Sequence, residues 1–467
     1  MAKKRLFGVD SSNNSAFSWH KHLKQIFLPN LLKLILMKLL FTLFLFAISF
    51  CISFSQDTIT VMHYNLLGYS TSYISCNQTN NNIDTKEAGI KLITKDIMPD
   101  IFTTNEFGDD ITYVNRMKNN VLNTDGVTYY ESSTYAAEAN TSIINMLFYN
   151  KNKFSKISEQ VVNHSVSSVR KTKIVKLKYL SSNPNDNIYL VCVLTHLKAG
   201  STVDDIADRE TMTSEINDWL TANYNTPGNY FIMGDFNVYT SSESGFQNLV
   251  NNSNSNIKFY DPINNLGDWN NNSSYKTIHT QSTHSDDNNC AAPGGMDDRF
   301  DFILMSNPVI NSSLKIAYLN NSYKAYGQDG YHFNKSINDG ANGVVSAAIS
   351  NALYTVSDHL PVTMKIIMNP IVGIEKVLTT SSLTFNFTNP LSKGNLDLNI
   401  VNNHNYFGNI KIEICSIIGQ TVNSENYELS NGLNRFSIDL SNVKSGIYLI
   451  KITDKFNGTN TQKLIIK

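Results

Sequence analysis

Between residues 56 and 368, short apolar runs of strand length recur again and again: "TITVMHYNLL", "PDIFTTNEFG", "NMLFYN", "IYLVCVLTHLK", "YFIMGDFN", "RFDFILMS" and "HLPVTMKII". Each is too short for a buried helix and rich in the β-branched and aromatic residues that fit a pleated sheet. Between them lie stretches of helical spacing. Residues 202–222 set Ile206, Ile216, Trp219 and Leu220 amid Asp, Glu and Arg, the pattern of an amphipathic helix, and "TKEAGIKLITKDIM" reads as a second helix closed by Pro99. Strands alternating with helices, with extra strands besides, predict a layered α/β domain over 56–368. The chain has 467 residues, room for more than this one domain.

The ends of these strands carry the chemistry. Alternate residues on a strand share a face, and one run passes through His63 to Asn65, another through Thr104 to Glu106, a third through Leu194 to His196, and "GDFN" through Asp235 to Asn237. Asp301 in "DDRFDFIL" and the Asp358-His359 pair add three more polar groups. Taken singly, an Asp or Asn at a strand end is a turn former and a His is a satisfied side chain. Gathered together, so many carboxylates need a cation or hydrogen-bonded partners, because burying each uncompensated would cost several kcal/mol. Carboxylate, carboxamide and imidazole without clustered thiolates favour Mg²⁺, or Mn²⁺ or Ca²⁺, over structural zinc. With a formal charge of −1, nothing in the bulk electrostatics draws the chain to nucleic acid or membrane, so any affinity for phosphate is local.

The ordered set "HYNLL", "TNEFG", "THLK", "GDFN", "DDRFDFIL" and "SDHLPV" resembles the endonuclease/exonuclease/phosphatase superfamily, to which deoxyribonuclease I, abasic-site endonucleases, neutral sphingomyelinases and inositol polyphosphate phosphatases belong. The resemblance spans nearly all of residues 56–368. It implies a four-layered α/β sandwich with two central β-sheets and a metal site at one edge. It departs at Asn105, where many members have Gln before the metal-binding Glu, a change expected to be tolerated because the carboxylate is present. Carried onto this chain, the resemblance implies Glu106 as the principal metal ligand, with Asn65 beside it and Asp358 near the same or a second metal. His359, oriented by Asp301, would act as acid/base or contact the scissile phosphate; Asp235 would polarise the attacking water and Asn237 position phosphate or water. His196 would bind a phosphate oxygen or protonate the leaving group, and Arg209 and Arg299 are the expected substrate contacts. Which histidine is the acid, and whether one metal or two operate, stay open. Phosphodiesters are anionic and resist hydroxide, so charge neutralisation and an oriented water are what such a site must supply.

From "MNPIVGIEKVLTTSS" onward the texture changes. After a linker over 369–384, short alternating runs separated by Asn-Gly and Ser-Gly turns predict a small all-β, immunoglobulin-like sandwich over 385–467 with no catalytic cluster. "FTNPLSKGNLDLNI", "SIIGQTV", "IDLSNVKSGIYLIKI" and the terminal "QKLIIK" make it similar to the C-terminal sorting domain of the type IX secretion system of Bacteroidetes. That resemblance implies export across the outer membrane, with the secretion machinery as partner. The alternative is an accessory sandwich that binds carbohydrate or packs on the enzyme.

At the other end, "MKLLFTLFLFAISFCISFSQ" from Met37 has a Lys, an apolar stretch and the small-x-small pattern Ser53-Phe54-Ser55 of a secretory signal peptide. The preceding 36 residues are either a long basic n-region or lie upstream of the start used, the preferred reading being a start at Met37. Small residues near the end of the stretch, and no basic stop after it, weigh against a membrane anchor, so a secreted or cell-surface, monomeric protein without a membrane span after cleavage is expected. Among the cysteines after cleavage, Cys76 and Cys290 sit in polar loops and are expected to pair, while Cys192 and Cys415 lie in strand-like runs and read as buried thiols.

The substrate is the open question. The Arg-bearing helix between "THLK" and "GDFN" resembles that of secreted nucleases of the superfamily, favouring extracellular DNA or RNA. Arg170, Lys171, Lys173, Lys176 and Lys178 in "SVRKTKIVKLK" either line a phosphate path or guard an edge strand against aggregation. The alternatives are hydrolysis of a lipid headgroup or inositol phosphate, or a catalytically silent binding protein. The last is weakened by a complete set of acids, amides and histidines. A lipid-active enzyme would show an aromatic hairpin for bilayer insertion, and "LGDWNNNSSYKTIHT" offers only Trp269 and Tyr275 amid asparagines.

Overall fold

The computed structural model describes residues 57–139, 141–183, 185–368, 384–392, 394–402, 408–416, 419–430, 432–453 and 459–467. The extension and signal peptide expected over 1–55, and the linker up to residue 383, lie outside the described residues.

The elements that build the first region are β1 (Asp57–Tyr69), α1 (Ile83–Ile97), β2 (Ile101–Gly108), β3 (Tyr130–Ser132), β4 (Ile143–Asn150), β5 (Phe154–Val162), β6 (Thr172–Tyr179) and β7 (Tyr189–His196). Then come α2 (Val203–Asn223), β8 (Tyr230–Asp235), α3 (Ser244–Val250), β9 (Phe259–Tyr260), β10 (Asp301–Ser306), β11 (Ile316–Tyr318), β12 (Lys324–Ala325), α4 (Ala347–Val356) and β13 (Val362–Met368). One sheet has the order β11-β13-β1-β2-β4-β3, with β12 also on β13, and the other the order β9-β10-β8-β7-β6-β5. In the first sheet β1 runs parallel to β2 and antiparallel to β13; in the second β8 runs parallel to β7 and antiparallel to β10.

Side-chain alternation makes the layers. On β1, Ile59 and Val61 face a cluster shared with Val175, Cys192, Leu194, Phe231 and Met233 of the second sheet, so this core lies between the sheets. Met62 and Tyr64, one residue out of phase, face Ile90 and Ile93 of α1 and Leu353 and Val356 of α4. On the far side, Met212, Ile216 and Leu220 of α2 and Phe246 of α3 pack on Val193, Ile232 and Phe302. The result is helix, sheet, sheet, helix: the four-layered α/β sandwich with two central sheets. Caps fix the helix starts. Asn82 accepts the Asp84 and Thr85 N–H groups at the head of α1, and Thr202 with Asp205 forms a capping box on α2.

Among the described residues, seven strands form the C-terminal region: β14 (Thr384–Phe387), β15 (Asn395–Asn402), β16 (Gly408–Ser416), β17 (Thr421–Leu429), β18 (Gly432–Asp439), β19 (Gly446–Thr453) and β20 (Thr459–Ile466). They pair as β14-β15-β18 and β17-β16-β19-β20, all antiparallel, around Leu398, Ile400, Ile412, Ile450 and Leu464. This is the small all-β sandwich, with an edge strand, β17, whose polar "TVNSENYEL" shows no strong apolar alternation.

Cys76 and Cys290 form a disulfide with Cα atoms 4.7 Å apart. Cys192 is buried, whereas Cys415 is half-exposed on β16, a correction to the expectation that both are core thiols: alternation turns Ile412 and Ile414 inward and leaves Cys415 on the outer face.

Candidate active site

Strand pairing brings the polar ends together. Asn105 sits opposite Asn65 in the first sheet, and in the second Asp235 is flanked by His196 on β7 and Asp301 on β10. The two sheets are tied at this edge by Asn105, whose Oδ1 accepts the Asp235 N–H at 2.7 Å while its Nδ2 donates to Asn145 Oδ1 at 2.7 Å. Gly234 is required for the approach of β8 to β7, since a Cβ there would lie 1.7 Å from the Thr195 carbonyl oxygen.

Asn65 is the hub. Its Nδ2 donates to Asp235 Oδ2 at 3.0 Å and Glu106 Oε1 at 3.3 Å, and lies 3.4 Å from His359 Nε2. Its oxygen accepts the Leu67 N–H at 3.0 Å, which turns the amide nitrogen toward the site. Glu106 takes φ +52 where the β2 register shifts, so a bulge swings its carboxylate off the strand. Asn237, also at positive φ, gives its N–H to Asp235 Oδ1 and its Nδ2 to the Leu197 carbonyl. Phe236 between them stacks on Phe302 in the core.

His359 Nδ1 lies 2.7 Å from Asp301 Oδ2, and its Nε2 lies 3.7 Å from Asp235 Oδ2. Burial disfavours the imidazolium, yet the Asp301 and Asp235 carboxylates outweigh it and hold His359 well above its ordinary value. Asp301 answers in the opposite sense: against its burial, His359 and His63 hold it down to about 2. Asp235 is pushed up to about 7, by burial above all and by the Asp301 and Glu106 charges, with His359 and Asn65 pulling the other way. His196, 3.4 Å from Asp235 Oδ2, is held well below the usual imidazole value by burial and by Arg170. The surroundings thus favour the charged form of His359 and the neutral form of His196, and raise the Asp235 carboxyl between them.

Glu106 and Asp358 are the two carboxylates that could hold a cation. Burial and the Asp358 charge both raise the Glu106 carboxyl, and Asp358 Oδ2 accepts the Ala292 N–H at 2.9 Å. Among the described residues no group of three or more His, Cys, Asp or Glu has metal-holding spacing. The oxygen donors that are present, two carboxylates, suit a hard cation such as Mg²⁺.

The two expected substrate arginines are not there. Arg209 is fully enclosed between α2 and α3, paired with Glu243 at 2.6 Å and bonded to the Lys198 and Gly200 carbonyls. Arg299 is equally enclosed, paired with Asp261 at 2.8 Å and lying over Phe302 and Trp269. Both are corrected from substrate contacts to buried structural pairs, their carboxylates supplied by distant loops. The basic run is also resolved: β6 lies inside its sheet, next to the edge strand β5, so it is no edge guard. Lys173 is buried and paired with Glu159, and Lys178 bonds Asn187. Arg170 is held against the site, donating to the His196 and Leu197 carbonyls, with its buried Nε without a hydrogen-bond partner among the described residues. Gln281 was not legible as a site residue, having no local motif; its side-chain amide lies 2.7 Å from His359 Nε2.

Among solved structures, this chain is similar to an endonuclease/exonuclease/phosphatase family protein from Bacteroides thetaiotaomicron, at 13% identity and a TM-score of 0.42, covering 68% of this chain and 100% of that one. It is similar to the human Nocturnin catalytic domain with bound sulfate (13% identity, TM-score 0.40, 67% and 97% covered) and to a Bacteroides thetaiotaomicron mannosyl-6-phosphatase (14%, 0.39, 66% and 100%). No curated protein matches the chain. The family model described as the secretion system C-terminal sorting domain matches residues 387–467, the stretch that forms the β-sandwich.

Proposed function

We propose that residues 57–368 are a divalent-metal-dependent phosphodiesterase whose substrate class is extracellular DNA or RNA, on a chain exported through its C-terminal sorting domain. The observation that carries the chemistry is the convergence of Glu106, Asp358, Asp235, Asp301, His359 and His196 at one edge of the sandwich, with their proton affinities driven apart. Groups tuned in opposite directions are what acid–base chemistry at neutral pH requires.

Glu106 and Asp358 would hold Mg²⁺, Mn²⁺ or Ca²⁺, which when bound neutralises phosphate charge and makes phosphorus more electrophilic. Asp235 takes the proton from the attacking water, with Asn65 orienting its carboxylate. The oxygen of Asn237, whose nitrogen is committed to Leu197, positions that water. His359, kept cationic by Asp301, faces the developing charge and gives a proton to the leaving oxygen, and His196 donates a hydrogen bond to phosphate. Arg170, whose charge is coupled to those of Glu106 and Asp235, is the cation that would meet the substrate phosphate. Gln281 can offer either its N–H₂ or, turned over, its oxygen, so it can follow His359 through both protonation states.

One observation favours a second reading. Of the basic run Arg170 is held against the site, while Lys173 and Lys178 are paired elsewhere, which suits a compact phosphoester, such as a lipid headgroup or inositol phosphate, as well as a polyanion. The purified chain assayed on plasmid DNA, RNA, sphingomyelin and bis(p-nitrophenyl) phosphate, with Mg²⁺, Mn²⁺, Ca²⁺ or EDTA, separates the two. Nucleic-acid cleavage that needs metal and is lost in His359→Ala is the expected result. Hydrolysis of the lipid alone supports the second reading, and metal-independent cleavage defeats both.

A further inference from the structure

Lys86 belongs to the first half of α1, and it is 1% exposed. A buried ammonium is costly where its acceptors are neutral, and the inward face of a helix is ordinarily apolar. Its reason must lie where its tip reaches. Nζ donates to the Leu66 carbonyl at 2.6 Å and the Leu67 carbonyl at 2.9 Å, the two residues that follow Asn65.

Those residues form an unusual turn. Leu67 and Gly68 both take positive φ, +46° and +60°, a conformation a leucine seldom adopts. Gly68 cannot be replaced there, because a Cβ would come within 2.4 Å of the Tyr73 ring. What the turn gains is two inward N–H groups: Leu67 N–H meets Asn65 Oδ1 at 3.0 Å, and Gly68 N–H meets Glu106 Oε2 at 3.1 Å. With the N–H groups turned in, the carbonyls face outward, and each is held. Ser357 Oγ donates to the Asn65 carbonyl at 2.7 Å, Lys86 to those of Leu66 and Leu67, and Asn81 Nδ2 to those of Leu67 and Gly68 at 2.9 and 3.2 Å. Burial brings Lys86 down to about 7, while the Asp358 and Glu106 charges favour its ammonium form.

We propose that Lys86 is a positioning residue for the proposed cation site: its ammonium braces the Leu66–Gly68 turn, which orients Asn65 and Glu106 for cation and substrate. The inference rests on the reading of Glu106 and Asp358 as the divalent-metal site. It makes a prediction whose sign is informative. By Coulomb's law alone, removing a cation beside a metal site tightens metal binding; removing a brace loosens it.

The test is Mn²⁺ binding to the full chain by calorimetry without substrate, alongside steady-state kinetics on bis(p-nitrophenyl) phosphate. Lys86→Met is expected to weaken Mn²⁺ binding by about 10- to 100-fold, the usual effect of losing an outer partner of a ligand, and to lower kcat with KM near that of the wild type. Lys86→Arg, which keeps the charge and the donors, is expected to lie between Lys86→Met and the wild type in both readouts. A folded Lys86→Met with unchanged or tighter Mn²⁺ binding overturns the proposal. If Lys86→Met does not fold, Asn81→Ala removes the neutral part of the same brace. It is expected to weaken Mn²⁺ about threefold, and an unchanged affinity overturns the assignment. A wild-type chain that neither binds Mn²⁺ nor hydrolyses any phosphoester defeats the functional reading itself, an outcome distinct from a working enzyme indifferent to Lys86.

Discussion

Asp235 and Asp301 are paired across adjacent strands, yet one carboxyl is pushed up to about 7 and the other held down to about 2. Both are buried, so the difference lies in their partners: Asp301 has His359 at 2.7 Å, while Asp235 has two neighbouring carboxylates and only the more distant histidines. A carboxyl raised in the folded state carries a stability consequence. Below the unfolded value near 3.8 both states are protonated and Asp235 costs nothing; between there and about 7 the unfolded chain gives up the proton that the folded chain keeps, and stability falls. Asp235→Asn removes that loss. In EDTA at pH 8 it is expected to be more stable than the wild type by roughly 1–3 kcal/mol in urea unfolding, with the gain vanishing toward pH 4, while activity drops by about 10²-fold or more. Equal stability at pH 8 would mean that Asp235 is not raised. Asp235 itself was legible in the sequence because a carboxylate at the end of an apolar strand has no bland use once several such ends converge. Arg209 and Arg299 were misread for the converse reason. An arginine in sequence looks like an exposed cation, and the partners that enclose these two, Glu243 and Asp261, stand 34 and 38 residues away with no pattern to connect them. Lys86 was invisible on the same ground, since a lysine on an amphipathic helix reads as solvated.

At the scale of elements, the seven apolar runs of the first region all became strands, because buried strands of a layered sandwich must be apolar on one face or both. The polar edge strand β17 was not anticipated, for it lies at the margin of its sheet and has little to bury. The close approach of β7 and β8 was likewise hidden: nothing in "MGDF" distinguishes a glycine kept for flexibility from one kept for space. The structure decides it. With the Thr195 carbonyl 1.7 Å from where a Cβ would stand, and paired strands on both sides of β8, the backbone must move to admit one. Gly234→Ala is therefore expected to destabilise by about 1–3 kcal/mol or more and, because Asp235 and the Asn105 bridge follow directly, to lower kcat beyond what the loss of folded protein explains. Full specific activity per folded molecule would show that the sheet edge adapts without disturbing the site.

For the whole molecule, two features bear on where and how it works. The match of residues 387–467 to a sorting domain predicts that a chain ending near residue 368 keeps the proposed phosphodiesterase activity in lysate but is retained in the cell, read by activity in cell and medium fractions. Equal release of both forms would remove the sorting role. The Cys76–Cys290 bond belongs to the same picture, since disulfides persist in oxidising compartments. It spans a sequence separation of 214 residues and joins two loops that reach the proposed cation-binding residues. Cys76 lies opposite Tyr73 in the hairpin that packs on Gly68, and Cys290 stands two residues before Ala292, whose N–H holds Asp358. Cross-linking so long a loop restricts the unfolded chain strongly, and natural bonds of this kind contribute about 2–5 kcal/mol. The double variant Cys76→Ser with Cys290→Ser is expected to lose that much stability in urea, and to weaken Mn²⁺ binding as Asp358 loses its fixed N–H donor. Asn80, whose Nδ2 donates to the Asn288 and Asn289 carbonyls, still bridges the loops without the bond, so the site is expected to be loosened rather than dismantled. A stability loss with unchanged Mn²⁺ affinity would assign the bond to folding alone, and would locate the rigidity of Asp358 in the Ser357 and Thr283 contacts beneath it.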